Sequence, residues 1–273
     1  MSRKTKPLIS VIIPHYKSTH FTLQAIKSIL RQKNISQNKI EVIVSVDGPI
    51  SSADKKKMIS LSTNVLLTHN KNQEGPGGNR QTGLSLAKGD YIIFLDSDDQ
   101  LESTFIKYSL VALKSSQVAA TVCLSKSFFE HGFSLIDKIR LIPLMVIRDL
   151  SLLTGIILNQ GCIYPSAFYL CQLSHMMYKS SILKDFKFNY DYRRGGEDWD
   201  LIVHTINKGK IKIVPKRLLK FRYSPKSSTS SSLNRQLKWK SYSLLTSRLP
   251  VQNKQGIFYQ LFLFYTRLFR GNN

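Results

Sequence analysis

Three carboxylates fall within four residues, Asp96, Asp98 and Asp99, directly behind the apolar run 90–95 (DYIIFL). Like charges that close together are costly unless something neutralises them, and clustered carboxylates hold divalent cations. Other segments offer complementary groups. Pro14-His15-Tyr16 ends the first apolar run and supplies an aromatic ring that can stack on a base. Asp47 follows the second run and can accept a hydrogen from a base N–H. Arg80 follows the glycine segment Gly75-Pro76-Gly77-Gly78 and can meet a phosphate. Together these groups describe a site for a nucleoside diphosphate with a metal. Each has a plainer alternative: Asp-Gly at 47–48 is a turn signal, Tyr16 fits a core, and the glycine segment fits a plain connection. Much later, Gly195-Gly196 precede the acid pair Glu197-Asp198, which suits the acidic N-cap region of a helix from Trp199 to Ile206.

Alternating strands and helices must carry these groups. Residues 8–13 (LISVII) read as a strand, 20–31 as a helix, 40–46 (IEVIVSV) as a second strand and 51–61 as a short helix. A third strand is expected at 64–67, a flexible loop at 75–78 and a helix at 79–87. A fourth strand follows at 90–95, then a helix at about 103–114 and a strand near 118–123. Short helical crossovers between strands imply an α/β fold with a mostly parallel sheet and helices on both faces. Ligands of such sheets bind outside the carboxyl ends of the strands, where each of the candidate segments lies. Residues 141–158 are apolar but carry Arg148 and Asp149, so a helix over one side of the site fits better than a membrane span.

The 273 residues hold 40 Lys and Arg against 17 Asp and Glu, a net charge of +23. The imbalance is concentrated: after Asp200 there are fifteen Lys or Arg and no acid. Such a segment seeks an anionic partner, whether phospholipid headgroups, phosphorylated saccharide or nucleic acid. Its last part, 256–270 (GIFYQLFLFYTRLFR), places Ile257, Leu261, Phe264 and Leu268 on one face of a helix. That points to docking on an anionic membrane surface, or to packing on the catalytic domain or a dimer partner. The serine run at 227–232 reads as a flexible loop. Three scattered cysteines argue against a disulfide framework or a zinc site and fit a reduced, cytoplasmic compartment. Residues 7–13 are too short for a signal-peptide core. A nucleic-acid-binding role lacks a binding motif or interleaved basic and aromatic residues. A nucleotidyltransferase would open with a glycine-rich loop after the first strand, and 14–17 contains no glycine.

Five segments, ISVIIPHYK, the helix ending AIKSILRQ, EVIVSVDGP, GPGGNRQTGLSLAKGDYIIFLDSDD and RRGGEDWDL, occur in an order and at separations that resemble the family 2 glycosyltransferases of the GT-A fold. The resemblance is strong over 7–115 and moderate over 174–223. It implies an inverting, metal-dependent transferase with a nucleotide-sugar donor and Mg²⁺ or Mn²⁺. Pro14 and Tyr16 would line the base, Asp47 would bind it, typically uracil, and Arg80 would lie near base or phosphates. Asp96 would contact the ribose and Asp98 the metal. Asp198 would be the general base, with Glu197 beside it. Two departures stand out. Val46 replaces an acid that many members carry before Asp47. Phe221-Arg222-Tyr223-Ser224 lacks the histidine of a Tyr-Arg-x-His segment, so that Arg222 or Lys226 would meet the phosphates instead. The expected layout is a catalytic domain over 1–225, with a donor half (7–125) and an acceptor half (126–225), and a basic helical extension over 226–273. The expected partners are the donor, a saccharide or lipid-linked saccharide acceptor and an anionic membrane, with no nucleic acid. The enzyme would sit peripherally on the cytoplasmic face of an inner membrane.

Overall fold

A computed structural model describes residues 8–130, 132, 135–163, 172–189 and 196–223. The basic extension at 226–273, the serine run, Ser224, Lys226, Cys171 and Gly195 lie outside the described residues.

Strand–helix crossovers build the first half: β1 (Ile9–His15), α1 (Thr19–Leu30), β2 (Ile40–Val46), α2 (Ser52–Ile59), β3 (Val65–His69), α3 (Pro76–Leu86) and β4 (Tyr91–Phe94). β3, β2, β1 and β4 are parallel neighbours. A parallel sheet covered on both faces needs apolar side chains on both. β1 meets that need by alternation: Ile9, Val11 and Ile13 enter one core, while Ile12 enters the other with Phe94 and Tyr178. Burying one such side chain contributes about 1.5–3 kcal/mol, which is why these runs are so legible as strands.

The second half comprises β5 (Gln100–Leu101), α4 (Phe105–Ala112), β6 (Val118–Phe129), α5 (Leu135–Leu158), β7 (Met176–Lys179), α6 (Glu197–Lys208) and β8 (Lys210–Tyr223). All eight strands join one sheet in the order β3-β2-β1-β4-β7-β6-β8-β5. β7 runs antiparallel between β4 and β6, and β5 runs antiparallel to β8 at the edge. β6 and β8 are parallel. The sheet is thus mostly parallel, with its antiparallel members in the second half. The expected boundary between 125 and 126 falls inside β6, because that strand continues to Phe129 along β8.

The segment expected to be a loop at 75–78 is instead the start of α3. Pro76 occupies the first turn, where its fixed φ is pre-organised and its missing N–H costs nothing. Gly78 is required by packing, since a Cβ there would run into the Gln73 carbonyl. α6 likewise starts at Glu197, ahead of the expected Trp199, because Gly196 turns the chain at φ +115°.

Candidate active site

The site forms where the sheet's parallel strands end. The Asp47 amide donates to the His15 carbonyl (2.9 Å), which ties the end of β2 to the end of β1. The Asp47 carboxylate accepts from the Gly75 amide (2.7 Å) and from the Asn70 side-chain amide (3.2 Å). Asp47 therefore organises the 70–75 turn, and its remaining lone pairs stay available for a ligand. Tyr16 is 57% exposed, with the Lys17 ammonium 4.8 Å from its ring centroid. A Cβ on Gly48 would stand 3.9 Å from the Tyr16 ring, so the aromatic face and Asp47 share one rim. Pro14 is half-buried within β1, and His15 behind it is buried and bonded to Thr22 (2.8 Å). Burial lowers the His15 pKa, which keeps it a neutral structural group.

Arg80, expected near base or phosphate, is held by protein groups. Its guanidinium is buried and committed to two protein carboxylates, Asp96 (2.6 Å) and Glu197 (2.8 Å). Burial alone would favour the neutral form, but Asp96 and then Glu197 outweigh it and hold the charge. The backbone at Gly77 packs against Glu197, at ordinary contact distance from where a Cβ would stand (3.5 Å). Arg80 thus fastens the acidic loop after β4 to the first turn of α6. Burial and the neighbouring Asp198 raise the Glu197 pKa, with Arg80 opposing them. Asp198 is half-buried and accepts from the Trp199 amide (2.9 Å) at the positive end of the α6 dipole.

Asp98 and Asp99 lie on the other side of Asp96. Burial and then the charge of Asp96 push Asp98 up to about 6. Asp99 is fully buried, and burial, Asp98 and Asp96 push it well above the usual carboxylate range. One Asp99 oxygen accepts from the Arg222 amide (3.2 Å); the other is buried without a hydrogen bond. Arg222 itself is sandwiched between Phe21 (4.4 Å) and Phe128 (4.8 Å) and donates to the Asp98 carbonyl (3.2 Å) and to Gln24 (3.0 Å). Its guanidinium is thus aimed at a backbone carbonyl and a side-chain amide rather than at the carboxylates.

A divalent cation fits this donor set in a limited way. The Asp98 carboxylate has no ion-pair partner among the described residues, and Arg80 takes one oxygen of Asp96. Among the described residues no three His, Cys, Asp or Glu side chains form a metal cluster. Two carboxylates suit Mg²⁺ or Mn²⁺ completed by phosphate and water, and do not suit an all-protein cage.

Ser174 and Gln24 were missed at the sequence level. The Ser174 hydroxyl accepts from the Asp96 amide (3.0 Å), and Gln24 receives both Arg222 and Gln100. Neither carries a signal of its own, since each acts through a partner distant in sequence. Beside Ser174, His175 is fully buried and stacks on Phe221 at 6.0 Å. Neither of its ring nitrogens makes a well-formed hydrogen bond, and burial and then the Arg148 charge lower its pKa to about 3.

Residues 10–182 match the family described as Glycosyl transferase family 2. The chain belongs to that family. The match covers the donor side through β7, whereas Glu197, Asp198 and Arg222 lie beyond it. An uncharacterized glycosyltransferase of Rickettsia conorii is 27% identical over 229 residues, 83% of this chain and 35% of that protein. A GalNAc(5)-diNAcBac-PP-undecaprenol beta-1,3-glucosyltransferase of Campylobacter jejuni is 36% identical over 102 residues, 36% of this chain and 31% of that protein. This family 2 glycosyltransferase therefore spans about a third of the length of those curated relatives. Residues 1–349 of Staphylococcus aureus TarS, solved in complex with UDP-GlcNAc, share its fold at a TM-score of 0.70 and 17% identity, covering 96% of this chain and 73% of that one. The likeness to that structure bears out the GT-A architecture.

Proposed function

We propose that this family 2 glycosyltransferase moves a sugar from a nucleotide-sugar donor, a UDP-sugar by preference, to a saccharide or lipid-linked saccharide acceptor, with inversion at the anomeric carbon. The observation that carries the reading is the charged path Asp98–Asp96–Arg80–Glu197–Asp198, which joins the end of β4 to the first turn of α6. It brings a cation-seeking carboxylate and a candidate base to one rim of the sheet.

Tyr16 offers its exposed face to the base, with Pro14 beneath, and Asp47 accepts a base N–H. Asp96 meets the ribose. Asp98, with the Asp96 oxygen that Arg80 leaves, would hold Mg²⁺ or Mn²⁺, which supplies positive charge for the donor's diphosphate when bound. Arg222 presents its guanidinium edge beside Asp98 as a second positive charge for the phosphates. Asp198 keeps one carboxylate oxygen on the Trp199 amide and takes the acceptor hydroxyl proton with the other. The acceptor oxygen then bonds to the anomeric carbon as the bond to the diphosphate oxygen breaks, and the nucleoside diphosphate leaves with that electron pair. Arg80 is a positioning residue: it sets Glu197, and through it the α6 turn that carries Asp198. The excess of basic residues after Asp200 supports an anionic membrane partner and a peripheral place on the cytoplasmic face of an inner membrane, where a lipid-linked acceptor would be met. The catalytic part would comprise 1–225, with 226–273 as the basic extension.

A thermal-shift screen with UDP-, GDP- and CDP-sugars in the presence of Mn²⁺ tests the donor. Stabilisation by a UDP-sugar that disappears with chelator is the expected result. Indifference to all three classes overturns the reading.

A further inference from the structure

α5 is apolar on two opposite faces, and the sheet uses only one of them. Arg148, Leu152 and Gly155 are buried, and Leu152 belongs to the core beneath. A helix turns by about 100° per residue, so Ile142, Val146, Leu150, Leu153 and Ile157 share an arc of about 80° facing the other way. All five are exposed, between 49% and 67%. A helix that is apolar all round is normally covered on every side, and an exposed stripe of this length marks a contact surface. No described helix is long and apolar enough to cross a membrane, so α5 is not a span.

The surroundings of the stripe carry the charge that selects its partner. A groove of about 510 Å³ runs along it, with Ile142, Val146, Leu150 and Leu153 as walls and Lys126 and Arg217 at its rim. The Lys126 and Arg217 side chains are 57% and 52% exposed and pair loosely with Glu102 (3.1 Å) and Asp149 (3.4 Å), exposed pairs that headgroup phosphates can displace, while Arg148 also lines the groove. β8, which supplies Arg217, carries six Lys or Arg and no acid. A second copy of this chain, itself +23 overall, is repelled by that basic rim, whereas an anionic surface is attracted to it. We propose that the exposed face of α5 docks on an anionic lipid bilayer, its five apolar side chains entering the acyl boundary while Lys126 and Arg217 meet headgroup phosphates. The contact borders the site, because α5 begins just past Glu130, whose carboxylate lies 4.0 Å from Arg222. This deepens the membrane reading above by naming a folded contact distinct from the C-terminal segment, and it is independent of the sugar-transfer chemistry.

Co-sedimentation of the full chain with phosphatidylglycerol–phosphatidylcholine vesicles, and with phosphatidylcholine alone, tests it. The wild type is expected to bind the anionic vesicles and to release them in high salt. Val146→Asp with Leu153→Asp is expected to weaken that binding by about tenfold or more, while the donor-induced thermal shift stays unchanged. Both positions are half-exposed, so the fold tolerates the charge. Val111→Asp, at a 58% exposed position on α4, is the control and is expected to bind as the wild type does. The proposal is overturned if the α5 pair leaves vesicle binding unchanged, if Val111→Asp lowers it equally, or if the wild type binds no vesicle. Unchanged vesicle binding together with conversion of a dimer to a monomer would assign the stripe to a second copy instead. A lost donor shift with intact vesicle binding would sink only the transferase reading.

Discussion

Two charge clusters flank Asp96, and they are built in opposite ways. On one side Arg80 is enclosed by Asp96 and Glu197, and both carboxylates hold it at hydrogen-bond distance. On the other side Asp98 and Asp99 face a single cation, Arg222, whose guanidinium donates to a backbone carbonyl and a glutamine rather than to either carboxylate. In the first cluster each carboxylate has a direct bond to the guanidinium, so its work is to hold two loops together, although burial and Asp198 still raise Glu197. In the second, no guanidinium bonds to either carboxylate among the described residues, and burial and then mutual repulsion push both Asp98 and Asp99 above their usual range. A compensated cluster stabilises the fold, and an under-compensated one reserves a place for a ligand's charge.

The comparison breaks first at Asp98. Asp98→Ala is expected to abolish sugar transfer while leaving stability in chelator unchanged or slightly raised, because it removes repulsion from Asp96 and Asp99. Turnover that survives in metal-replete buffer would remove Asp98 from the metal site. Next comes Asp198→Asn, which is expected to lower kcat by about 10²–10⁴-fold with donor affinity nearly intact. Should donor affinity collapse instead, Asp198 belongs with the donor groups. Arg80→Met is expected to cost about 3–5 kcal/mol in denaturant unfolding, since it strands Glu197 in the interior. Adding Glu197→Gln should recover part of that loss, and strict additivity of the two changes would show that the ion pair carries no coupling.

The smallest effect concerns His175. Its folded pKa, near 3, lies below the ordinary 6.5, so the folded state resists a proton that the unfolded chain accepts. The penalty is absent above about pH 6.5 and grows as pH falls from there toward 3. His175→Phe should therefore flatten the loss of stability between pH 6 and 4, and keep the stacking on Phe221. An unaltered acid slope would show that other groups govern it.

Much of the first half was legible because parallel strands buried on both faces read as continuous apolar runs. The expected strand at 40–46 coincides with β2, and the expected helix at 20–31 is offset from α1 by one residue. The helix at 141–158 was visible in part; α5 begins at Leu135. The glycine segment misled, because composition marks 75–78 as a loop, while Pro76 opens α3 and Gly78 is there to let the helix pass the Gln73 carbonyl. β6 was read short because its last six residues mix polar and aromatic side chains and gain their order from β8, more than ninety positions later.

The sequence alone determined that Tyr16, Asp47 and the Asp96–Asp99 cluster reach the carboxyl edge of the sheet, since each follows an apolar run and a strand must end where that run ends. It also determined the basic excess, which is a sum over residues and needs no fold. Only the tertiary structure decided what the charges do. Arg80 and Glu197 are separated by 117 positions, and nothing local announces that one neutralises the other. The same holds for α5: its apolar composition is plain in the sequence, but only packing against the core decides which of its apolar side chains are left outside.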